Sequence, residues 1–85
     1  MSHHPTSFVG DPRVAIKEAV EKAIVGSTCT AEGGGGHFNI TVTAAGFAGQ
    51  SLLAKQRMVL QAIAHLMKGE DAPVHAVDTL VTNTP

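Results

Sequence analysis

Five histidines and one cysteine supply all the imidazole and thiol groups of this 85-residue sequence, the side chains best suited to bind a transition metal near neutral pH. His37 follows the run Gly33-Gly34-Gly35-Gly36, and His75 follows Pro73-Val74. Each stands at the start of a segment that reads as a β-strand. With the last strand parallel to its neighbour, both imidazoles fall at the same end of the sheet. A closed structural zinc site takes a full tetrahedral set of Cys, His or carboxylate ligands, and iron–sulfur clusters are usually held by a complete set of thiolates. One thiol and two suitably placed imidazoles do not close such a site. They form a half-site for a second molecule that brings sulfur.

The remaining candidates read more plainly. Cys29 lies between Thr28 and Thr30 in a predicted strand, where a free cysteine acts as a small core hydrophobe; a metal-binding or redox thiol is the alternative. His65 falls opposite the stripe marked by Ile63 and Met67, on a solvated helix face. His3 and His4 belong to an aperiodic N-terminal stretch and make a poor metal site. Successive glycine N–H groups can bind anions, but a phosphate loop carries Lys and Ser or Thr at fixed spacing and opens a helix. This run opens a strand, so Gly33, Gly34, Gly35 and Gly36 read as a flexible hairpin loop, able to close over something held beside it.

Catalysis finds little support. The acids are Asp11, Glu18, Glu21, Glu32, Glu70, Asp71 and Asp78, mostly in solvated faces and turns, with no paired-carboxylate spacing. Neither a Gly-x-Ser-x-Gly elbow nor a Cys-x-x-Cys motif occurs. A small domain also offers little volume for a substrate pocket. The chain reads as a non-enzyme.

Composition bounds the frame that must hold these residues. The 8.8 kDa chain is 44% hydrophobic and 15% charged, with mean hydropathy +0.14, enough apolar material for one core. A net charge of −1 creates no global field for nucleic acid. The single cysteine makes no intramolecular disulfide, which suits a reducing compartment. No apolar run reaches membrane-span length, and Met1 to Gly10 shows no secretory signal. A soluble cytoplasmic domain is expected over residues 11–85, after a loose tail over 1–10.

Asp11-Pro12 signals a helix start, with Asp as N-cap and Pro in the first turn. Ile16, Val20, Ala23 and Ile24 then mark the buried stripe, Lys17, Glu18, Glu21 and Lys22 the other side, and Gly26 the stop. Ser27 to Glu32 reads as a strand, hairpinned to His37–Thr43, where Phe38, Ile40 and Val42 alternate with polar residues. Ser51 is the expected N-cap of a second helical run, Leu52 to Lys68, as one helix or two. Its stripe is Leu52, Val59, Ile63, Leu66 and Met67, widened by Met58 and Leu60. Val74 to Val81 supplies the last strand, and Thr82 to Pro85 a tail. A strand, a helix and another strand usually form a right-handed parallel crossover, so the last strand should run parallel to its partner. The α+β result is a three-stranded mixed sheet with helices on one face.

Four segments in order resemble one family. His37-Phe38-Asn39-Ile40-Thr41-Val42 is similar to its His-Phe strand, and Phe47-Ala48-Gly49-Gln50-Ser51-Leu52 to its turn into the helix. Lys55-Gln56-Arg57-Met58-Val59 is similar to its basic helix motif, and Val74-His75-Ala76-Val77, with Thr84-Pro85 after it, to its closing strand. Together they resemble BolA-like proteins of the short-loop BolA/IbaG branch, from about Asp11 to Pro85. The resemblance implies an αββααβ fold similar to a type II KH domain. It also implies a [2Fe–2S] cluster shared with a monothiol glutaredoxin and glutathione, and none in the isolated chain. The family's near-invariant ligand corresponds to His75. Its second ligand is a Cys or His in the hairpin loop; here the loop is all glycine, leaving His37 as the nearest substitute. Ala48 stands where the family is often acidic.

The reading is therefore a non-enzymatic adaptor in iron–sulfur trafficking or iron sensing. A nucleic-acid-binding regulator is the alternative, with Lys55 and Arg57 as its surface. A KH clamp, however, uses a Gly-x-x-Gly loop between helices on a basic face, and so few cations imply weak, salt-dependent DNA binding. A structural domain forming a homodimer through its apolar hairpin and helix is the third reading.

Overall fold

A computed structural model describes residues 8–85. The elements are α1 (Pro12–Ala23), β1 (Thr28–Gly34), β2 (His37–Thr43), a 3-10 turn (Ala45–Phe47), α2 (Leu52–Ala62), α3 (Ala64–Met67) and β3 (Ala76–Asn83). The sheet order is β1-β2-β3, the first pair antiparallel and the second parallel. This is the expected αββααβ mixed sheet.

Local chemistry starts both main helices where the sequence places them. The Asp11 carboxylate accepts the Arg13 N–H at 2.9 Å, and Pro12 occupies the first turn without wasting a donor. Ser51 Oγ accepts the Ala54 N–H at 3.1 Å to open α2. Period-two alternation sends Phe38, Ile40 and Val42 to one face of the sheet, with Cys29 from β1 beside them. Ile16, Val20 and Ile24 of the α1 segment, Val59 of α2, Ile63 and Leu66 cover that face. Each large apolar side chain buried this way contributes about 1.5–3 kcal/mol. The opposite face carries His37, Asn39 and Asp78 to solvent.

Tertiary context moves several boundaries. The expected loose tail includes Phe8, which packs against the core; positions 1–7, with His3 and His4, lie outside the described residues. Ala23 is exposed, as is Leu52 at 60%. Spacing sets the direction of a helical stripe but not how much of its length a partner covers. In α2 full burial is reached only at Val59. The second helical run breaks at Ile63, whose ψ of 8° is not helical, yet Ile63 and Leu66 both stay buried. Strand β3 starts two residues later than Val74 and takes in Thr82 and Asn83, expected as tail. Asn83 opposes Thr43, and its carbonyl accepts the Ala44 N–H at 3.0 Å. No helix among the described residues is long and apolar enough to cross a membrane.

Candidate functional site

The glycine run builds a tighter structure than a four-residue loop. Gly33 and Gly34 are strand residues opposite Phe38 and His37, leaving only Gly35 and Gly36 in the turn. Both have positive φ, 63° and 84°, the requirement of a type I′ hairpin, whose twist matches its flanking strands. Gly36 is buried, and its carbonyl accepts the N–H groups of His75 and Ala76 at 2.7 and 2.9 Å. The run thus ties the hairpin to the start of β3, with Gly33 and Gly34 paired in the strand where a loop over all four glycines, Gly33 to Gly36, was expected.

This tie and the parallel register, with His37 opposite Ala76, bring the two histidines together. Their ring centroids are 5.5 Å apart, inclined at 57°, and both residues are exposed. His75 stands immediately before β3 rather than within it. The pairing of His37 and His75 at one end of the sheet follows the sequence expectation.

A third residue joins them that sequence reasoning passed over as one acid among seven. The β2–β3 register shifts between Phe38 and Asn39, which oppose Val77 and Thr79. Asp78 is therefore the extra residue of a β-bulge. Asp78 and Thr79 are both exposed, while Val77 and Leu80 both pack on the core. Asp78 Oδ1 lies 3.0 Å from His37 Nδ1, and Thr79 Oγ1 donates to Asn39 Oδ1 at 2.8 Å. The signal was present: two polar residues between Val77 and Leu80 break the period of two.

The other candidates lie elsewhere. Cys29 is 1% exposed, and burial, then the nearby Glu21 carboxylate, pushes its thiol up to about 11. It is a core residue, as its strand position predicts, and no accessible thiolate. His65 is exposed. Lys55 and Arg57 stand on α2, and the α2–α3 junction reads Ala62-Ile63-Ala64, with no glycine between the helices. A groove of about 340 Å³ between α1 and β1, lined by Val14, Thr30 and Ala31 among others, includes neither paired histidine. Among the described residues no group of three or more His, Cys, Asp or Glu is gathered to hold a metal ion. What the chain presents at this end of the sheet is two imidazoles, with the Asp78 carboxylate against that of His37.

Comparison with known proteins shows the family of the chain. The model of the BolA-like protein family matches residues 12–85. A bolA protein homologue from Coxiella burnetii is 35% identical, over 82% of this chain and 86% of that one, with a TM-score of 0.69. BolA1 from Mus musculus is 26% identical, over 100% of this chain and 74% of that one, also at 0.69. BolA1 from Arabidopsis thaliana, at 21% identity over 91% of this chain and 95% of that one, shares the fold with a TM-score of 0.73. No curated protein matches the sequence. With its family match spanning both histidines and every strand and helix of the fold, the chain belongs to the BolA-like protein family.

Proposed function

We propose that this chain is a non-enzymatic adaptor in iron–sulfur cluster trafficking or iron sensing. It lends imidazole ligands to a [2Fe–2S] cluster shared with a monothiol glutaredoxin and glutathione, within a reducing compartment such as the cytoplasm. One observation carries the reading. His37 and His75 sit exposed with rings 5.5 Å apart, while the only thiol is buried in the core.

The donor set fits a shared cluster better than a resident one. Two imidazoles without an accessible thiolate leave a cluster half-ligated, so the sulfur must come from the partner and from glutathione. His75 is the main ligand and His37 the second. When bound, such a cluster supplies an electron- and pH-responsive centre, since histidine in place of thiolate raises the potential. The chain's own part is to hold the two rings at one sheet end. Gly36 does so by tying the backbone at His75 to the turn next to His37.

The test is reconstitution. Mixed with a monothiol glutaredoxin, glutathione, ferrous iron and sulfide, the wild-type protein should give a heterodimer whose visible absorption and circular dichroism differ from those of glutaredoxin alone. His75→Ala should abolish or alter that spectrum. Identical spectra for wild type and His75→Ala would remove His75 from the ligand set.

A further inference from the structure

We infer that Asp78 is a positioning residue: it holds the His37 ring through Nδ1–H and leaves Nε2 as the nitrogen with a lone pair to give. The inference rests on the reading of His37 as a ligand and names the group that prepares it. It starts from the bulge in β3. In regular alternation, Val77 facing the core would put Asp78 outward and Thr79 inward. The extra residue instead leaves both Asp78 and Thr79 exposed and returns Leu80 to the core. Bulges re-aim side chains in this way. The outcome is one carboxylate oxygen 3.0 Å from His37 Nδ1.

An ionised carboxylate only accepts hydrogen bonds. The proton in the His37–Asp78 contact therefore belongs to Nδ1, and a neutral imidazole so arranged carries its free lone pair on Nε2. Carboxylates behind metal-bound histidines act in this manner, fixing tautomer and ring orientation and raising ligand basicity. The adjacent Thr79–Asn39 hydrogen bond uses the same bulge without touching His37. It provides a built-in control, because removing it perturbs the same strand pair and spares the imidazole.

The experiment begins on the isolated protein. At pH 8, 15N NMR of the ring nitrogens should show His37 protonated at Nδ1 and bare at Nε2, as the contact with Asp78 Oδ1 requires. Asp78→Ala should abolish that preference, while Thr79→Ala should retain it. The same variants are then assembled with glutaredoxin, glutathione, iron and sulfide and challenged with a chelator. Asp78→Ala should lose the cluster about 10-fold or more faster than wild type, with Thr79→Ala close to wild type. A His37 ring protonated at Nε2 in the wild type, or a tautomer indifferent to Asp78→Ala, overturns the inference. So does a cluster whose decay is unchanged by Asp78→Ala. If the Asp78-dependent tautomer is present but no cluster forms with any monothiol glutaredoxin, the positioning stands and the adaptor reading falls.

Discussion

The backbone N–H of His75 donates to the carbonyl of Gly36 at 2.7 Å, so the two halves of the site are joined through the main chain. Residues far apart in sequence are thereby held without a side-chain contact that one substitution could delete. The arrangement also explains the glycines: the turn must present its carbonyl to β3 from a backbone with positive φ, which side-chain-bearing residues rarely adopt.

The glycines of the run are not equivalent. At Gly33, φ is 119° and an added Cβ would collide with the His37 carbonyl oxygen, while at Gly34 nothing lies within 4 Å. Gly33→Ala should cost about 1–3 kcal/mol of stability in urea denaturation. Gly34→Ala should be nearly neutral. Equal midpoints for the two variants would contradict the register of the hairpin.

Cys29 should be chemically silent in the native protein. With its thiol pushed up to about 11, only about a thousandth is thiolate at pH 8. Labelling by a maleimide or an aromatic disulfide at that pH should be slow and track unfolding, turning fast in guanidinium. Rapid labelling of the folded chain would contradict the burial of β1.

Acid should loosen the contact between α1 and β1. Glu21 accepts hydrogen bonds from Lys17 Nζ and from the Cys29 N–H, covering one rung of an edge strand. The Lys17 contact first, then the Cys29 N–H, holds the Glu21 carboxyl below its ordinary range. A lowered carboxyl stabilises the fold above the unfolded value of about 4.3 and loses that contribution as pH falls through the folded value. Glu21→Gln should therefore flatten the decline of melting temperature below pH 5 without abolishing it, since Arg13 holds Asp11 low as well. An unchanged acid slope would show that the pairing contributes nothing in solution.

Ile40 is 1% exposed in the middle strand. Truncation there should follow the cost of lost contacts and residual cavity, about 0.5–1.5 kcal/mol for Ile40→Val and about 2–5 kcal/mol for Ile40→Ala. Chemical denaturation with an unchanged m-value is the check. A cost for Ile40→Ala below that of Ile40→Val would mean that the helices do not pack on this face.

Much of the fold was legible because its signals are local. Asp11-Pro12 and Ser51 open helices by capping chemistry that acts within a turn, and Phe38-Ile40-Val42 declares its face by alternation alone. The pairing of His37 with His75 was legible too, since a strand, a helix and another strand usually form a right-handed parallel crossover. Only tertiary structure could decide which contacts win where local preferences are indifferent. Leu52 fits the helical stripe yet stays exposed, and Thr82 and Asn83 become strand because β2 continues opposite them. Asp78 reaches His37 through a register shift between chain-distant strands, an adjustment settled by how Val77 and Leu80 both find the core. Capping and periodicity are energies of neighbours along the chain, whereas register and burial are energies of surfaces that exist only once the chain has closed on itself.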